Sequence, residues 1–131
     1  MDNSSLIIMR IIPSLMLIIG SGMAYIWTSD IVSGRFSDRG SFFQWKEEKT
    51  LLWPHIVAEY LTAIGLITGG IGLFASRGWA LPVSLLALGA VIYSAVNSTG
   101  WVLAEKNRVT YGIPIWISLV IALCSAIILV A

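Results

Sequence analysis

The chain has 131 residues, 57% of them hydrophobic and only 11% charged, with a mean hydropathy of +0.87. A soluble domain carries roughly 25% charged residues, so this composition belongs in a bilayer. Eight Lys and Arg against seven Asp and Glu leave no basic field for nucleic acid, and a single cysteine, Cys124, excludes an internal disulfide and any paired-thiol chemistry.

A helix needs about 20 mostly apolar residues to cross roughly 30 Å of hydrocarbon, and four stretches qualify: about 6–28, 54–76, 79–101 and 113–131. The expectation is an all-α, integral membrane four-helix bundle, one domain over 1–131. The first stretch is too long for a signal peptide, and its small-residue cluster Gly20-Ser21-Gly22 runs on into Tyr25 and Trp27, so it reads as a retained span. Pro13 predicts a kink there. Met9, Met16 and Met23 recur every seven residues; at 1.5 Å per residue neighbours stand about 10 Å apart, too far for one copper site, so they read as packing residues.

The connection over 29–53 holds four charges of each sign. Arg35-Phe36 and Ser41-Phe42-Phe43-Gln44-Trp45 flank a Gly40-containing turn and suggest two short extended runs, a hairpin-like structured loop with its aromatics resting on the bundle. Pro54 then reads as a first-turn residue of the second helix, where a missing N–H costs nothing. In that helix His55 and Glu59 are spaced i, i+4 and share a face, with Thr62 one turn deeper. A carboxylate placed about 6–8 Å into a span must find a partner, reach water or take up a proton. Gly65 and Gly69 form a GxxxG pair beside Gly70, a surface on which backbones approach closely.

Arg77-Gly78 makes a tight turn, so the second and third helices form an antiparallel hairpin. Ala80, Ser84, Ala87, Ser94 and Ser98 give the third helix a small-residue side, and internal packing outweighs dimerisation as its purpose. Tyr93, Asn97, Ser98 and Trp101 cluster toward its far end. The run Tyr111-Gly112-Ile113-Pro114 reads as the turn into the last helix, with Pro114 in its first turn.

Alternating helix direction gathers both longer connections at one end of the bundle. Five of the six tryptophans and all four tyrosines belong to this loop end, a one-sided surplus that suggests an interfacial cap with a binding mouth in it. Ligand-binding candidates are His55, Glu59, Thr62, Tyr93, Asn97, Ser98 and Trp101; helix-packing candidates are Gly65, Gly69, Gly70, Ser84 and Ala87. Arg10 enters from the opposite end, roughly 15 Å or more from the level of Glu59, and reads as a snorkelling residue. One His and one carboxylate cannot complete a zinc site, and phosphate-loop, nucleophile-elbow and H-E-x-x-H motifs are absent, so neither a metal nor catalysis is assigned.

The run Pro54-His55-Ile56-Val57-Ala58-Glu59-Tyr60, the glycines after it and Arg77-Gly78-Trp79-Ala80 resemble the second helix and following turn of DoxX-like membrane proteins, over about a fifth of the chain. The resemblance implies a role beside a membrane redox system, with Glu59 at the functional position and a quinone as ligand. It also implies cytoplasmic termini. The positive-inside rule points the other way, because six Lys and Arg lie at the loop end; the tight Arg77 turn tips our reading to cytoplasmic termini in a prokaryotic plasma membrane. Three functions fit these residues: binding of a lipid or quinone-like molecule in a loop-end pocket, proton-coupled transport by a homo-oligomer, and assembly into a larger membrane complex through the glycine faces.

Overall fold

The computed structural model describes residues 6–33, 49–104 and 109–131. A π-helical turn, Ile7–Ile11, leads into α1 (Ile12–Val32), followed by α2 (Lys49–Phe74), α3 (Ala80–Leu103) and α4 (Val109–Val130). Each helix is long and apolar enough to cross a membrane, and no strand occurs among the described residues. The molecule is an all-α four-helix bundle.

Sequential neighbours pack antiparallel along their lengths, whereas α1 and α4 meet only briefly. The core gathers Ile12 and Met16 from α1, Leu66 from α2, Ala87, Leu88 and Val91 from α3, and Ala122 from α4. Met23 packs against this cluster, while Met9 is exposed, so the three methionines share no site. Large side chains such as Ile18, Leu61, Leu86 and Ile127 point outward. In a bilayer that is their low-energy place, since lipid tails are as apolar as they are, and close helix contact falls to small residues.

Those small residues set the helix spacing. A Cβ on Gly65 would stand 3.1 Å from the Ala87 Cβ, and one on Gly69 would stand 2.7 Å from the Ser84 Oγ. On the other side of α2, a Cβ on Gly70 would stand 3.1 Å from the Pro13 carbonyl oxygen. Both neighbours of α2 therefore lie against glycine.

Three helix boundaries differ from the sequence reading. Helix α1 continues through Asp30 to Val32, and α2 begins at Lys49, so Pro54 lies inside α2 rather than in its first turn. Likewise α4 starts at Val109, which puts Gly112 and Pro114 inside a helix and removes the expected turn over 111–114. The reason is common to all three: backbone leaving the hydrocarbon is satisfied most cheaply by continuing the helical ladder into the interface. Each proline forgoes one bond there, to the carbonyl four residues earlier, at a level where headgroups and water can replace it. The hairpin-like runs expected within 34–48 lie outside the described residues.

Just before Pro13, where the sequence predicts a kink, the helix is π-wound. The Ile12 N–H donates to the Ile7 carbonyl, five residues back, so the helix widens by one residue just before the proline ring.

Candidate functional site

The loop-end ionisable residues are placed by α2. His55 and Glu59 follow Pro54 by one and five positions, and the 3.6-residue repeat sets them on one face. Glu59 is 8% exposed, and its Oε1 accepts a hydrogen bond from the Ser94 hydroxyl of α3. His55 Nε2 stands 4.0 Å from the same oxygen, an ion-pair distance rather than a hydrogen bond. The imidazole also meets the Trp27 ring of α1 edge-on, with ring centroids 5.6 Å apart. One face of α2 thus engages α1 through an imidazole and α3 through a carboxylate.

Polar ties continue around this end. The hydroxyls of Thr28 and Tyr60 are 2.7 Å apart, joining α1 to α2. Trp116 of α4 donates its indole N–H to the Thr99 Oγ1 of α3 at 3.1 Å. Tyr25, Trp53 and Tyr93 instead face outward. The aromatic surplus therefore serves two purposes, interhelical ties and an interfacial belt.

The structure sorts the ligand-binding candidates. His55 and Glu59 come together. Thr62 is buried, but its hydroxyl is spent on the Ala58 carbonyl at 2.8 Å. Tyr93 is 74% exposed, and Asn97 is exposed and Ser98 half-buried. As ligand-binding candidates Tyr93 and Asn97 are not brought to Glu59: at i, i+4 they share the outer flank of α3, and Ser94, one position past Tyr93, turns toward α2 instead. The side chain of Trp101 lies outside the described residues. Arg10 is exposed on its own side of the bundle, away from Glu59.

Two residues were missed in the sequence. Ser94 stood on the small-residue side of α3 and was read as packing alone, although a serine opposite a buried carboxylate is a natural donor. Asp30 was assigned to the loop, yet it is 8% exposed in the last turn of α1. The apolar pair Ile31-Val32 just after it was the signal that the helix continues.

Below the Glu59–Ser94 bridge, α2 and α3 leave an apolar groove of about 190 Å³, open to the bilayer and lined by Leu61, Thr62, Gly65, Val83, Leu86, Ala87 and Ala90. Its origin is compositional: Gly65, Ala87 and Ala90 are too small to fill the space between larger neighbours. Ala90 lies one turn below Ser94 and Thr62 about one turn below Glu59, so the bridge stands about a turn beyond the groove lining toward the loop end. Among the described residues no group of three or more His, Cys, Asp or Glu side chains converges as a metal site would require.

No curated protein and no solved structure matches the chain. A family model described as "Domain of unknown function (DUF8058)" matches residues 7–131, which takes in all four helices. The chain belongs to that family.

Proposed function

We propose that the protein binds a lipophilic small molecule, a lipid or quinone-like compound, between α2 and α3, with Glu59 and His55 as polar anchors at the loop end. One observation supports this reading: a buried carboxylate, bridged to Ser94 and beside an imidazole, stands about one helical turn from an open apolar groove on the same pair of helices. Ionisable groups within a span are costly, and a purely structural role for Glu59 needs no groove beneath it. Binding sites for small molecules combine mostly apolar walls with a few placed polar groups, and this one has that make-up. A place beside a membrane redox system would follow if the occupant were a quinone, as the DoxX-like run implies.

The test is native mass spectrometry of protein purified in lipid nanodiscs. The wild type is expected to carry a lipophile through purification. Glu59→Gln and His55→Ala should lower its occupancy severalfold, and Ala90→Leu should do so by filling the groove. Wild-type occupancy in all three folded variants would show the site to be misassigned. Ser94→Ala is expected to lower stability by about 1–2 kcal/mol, because it removes the one described hydrogen bond to a buried carboxylate. Thermal unfolding in detergent measures it.

A further inference from the structure

The groove reaches away from the loop end. Its α3 wall runs from Val83 to Ala90, which at 1.5 Å per residue is about 5–15 Å from Ala80, where the apolar span of α3 begins. Half of the hydrocarbon core is about 15 Å thick, so this wall stands in the leaflet on the side of the α2–α3 turn. Leu61, Thr62 and Gly65 of α2 lie nearer mid-span. The groove therefore runs from the bilayer centre toward the turn, the course of an acyl chain whose head lies at that end.

Trp79 marks the turn end. It precedes Val83 by one helical turn, and the edge of its six-membered ring lies over Gly72, where a Cβ would stand 2.7 Å from Cη2 and Cζ3. The indole thus spans from α3 to α2 just beyond the groove, half-exposed, as tryptophan sits at a headgroup level. Arg77, two residues earlier in the same turn, is exposed and forms no ion pair among the described residues. Helix α3 begins here with no side-chain cap and no acidic residue in its first turn, so the positive end of its dipole adds to the guanidinium. Positive charge at the mouth and an apolar channel behind it match the two halves of an anionic lipid.

We infer that a glycerophospholipid with an anionic head, drawn from the leaflet at the α2–α3 turn, docks with its phosphate on Arg77 and lays one acyl chain along the groove past Val83 to Ala90. From the level of Trp79 to Ala90 is about 17 Å along α3, close to the depth of one leaflet's hydrocarbon. This site rests on the reading above for the groove alone. It adds a second occupant that enters from the opposite leaflet, so the two compete for one slot.

The test is native mass spectrometry of the full chain in nanodiscs of equal parts phosphatidylglycerol and phosphatidylcholine with identical acyl chains, so that only the head varies. The wild type is expected to retain phosphatidylglycerol over phosphatidylcholine by about fivefold, the factor that one cation beside an anionic headgroup supplies. Arg77→Gln should bring the two lipids level. Arg10→Gln, on α1 beyond the other flank of α2, should keep the preference. Ala90→Leu, which narrows the groove, should lower both adducts severalfold. Equal retention by the wild type, or a preference that survives Arg77→Gln, overturns the turn-end head and leaves the loop-end reading to be judged by Glu59→Gln and His55→Ala. Loss of the preference in Arg10→Gln as well overturns it in favour of a diffuse surface charge. Unchanged adducts in folded Ala90→Leu overturn the groove as the seat of the chain.

Discussion

Ser84 is fully buried, and among the described residues its hydroxyl has no hydrogen-bond partner. It lies against Gly69, where a Cβ would come within 2.7 Å of the Ser84 Oγ and 3.1 Å of the Met16 Cε. An unpaired buried hydroxyl is a cost without a return, so Ser84→Ala is expected to raise stability by about 1 kcal/mol. Gly69→Ala should lower it through the clash, and the double variant should recover part of the loss, because removing Oγ clears the nearest atom. A double-mutant cycle by thermal unfolding in detergent reads this coupling, and strict additivity would mean that the two residues do not meet. Glu59 shows how a residue's partner escapes a sequence reading. Its depth and its i, i+4 relation to His55 were legible, since both follow from helix geometry on one element. Ser94 was not, because serine pays for a place on a small-residue face as well as it serves a carboxylate, and only the packing of α3 on α2 decides between them.

Between α2 and α3 the tight turn lies where the sequence predicts it, the Ala80 N–H donating to the Arg77 carbonyl at 2.9 Å across Gly78 and Trp79. It begins earlier than that pair, at Ser76, which takes a φ of 51°. The Arg77 N–H donates to the Gly72 carbonyl at 2.9 Å and the Ser76 N–H to the Leu73 carbonyl at 3.0 Å, the pair of bonds that ends a helix on a left-handed residue. Trp79 then folds over Gly72, where a Cβ would stand 2.7 Å from its ring. Glycine is the usual occupant of the left-handed position, so Ser76→Gly is expected to add about 1 kcal/mol and Ser76→Val to subtract at least as much. Thermal unfolding of the two variants checks the sign. The helix starts were misjudged for a related reason. Proline marks where a helix is free to begin, but the cost of unsatisfied backbone at the membrane interface carried α2 and α4 a turn or more ahead of Pro54 and Pro114.

For the whole molecule, four membrane-capable helices in antiparallel succession put the two longer connections on one side and the α2–α3 turn on the other. Single cysteines introduced as Ser37→Cys and Asn107→Cys, after Cys124→Ser, are therefore expected to label from one face of the membrane and Ser76→Cys from the opposite face. Labelling of positions 37 and 76 from the same face would break the four-span arrangement. The same measurement decides between cytoplasmic termini and the orientation that the positive-inside count favours. The slight meeting of α1 and α4 leaves α2 the most enclosed helix and α4 the least. Substitutions on the outer side of α4, at Ile117 or Ile127, should be correspondingly mild.

Hydropathy along the chain determined that this is a membrane protein and how many helices it has, because the cost of placing polar backbone and charge in hydrocarbon acts residue by residue and leaves its mark in composition. Helical periodicity determined that His55 and Glu59 share a face and that Gly65 and Gly69 form a smooth surface, since both are properties of a single helix. What lies opposite that face was decided by tertiary structure alone. Trp27, Ser94 and the groove floor at Ala87 and Ala90 come from other helices. Their alignment with α2 depends on how far each helix slides and rotates before its small residues interlock. That offset is fixed by contacts of a few tenths of an ångström at Gly65, Gly69 and Gly70, a quantity no one-dimensional pattern records.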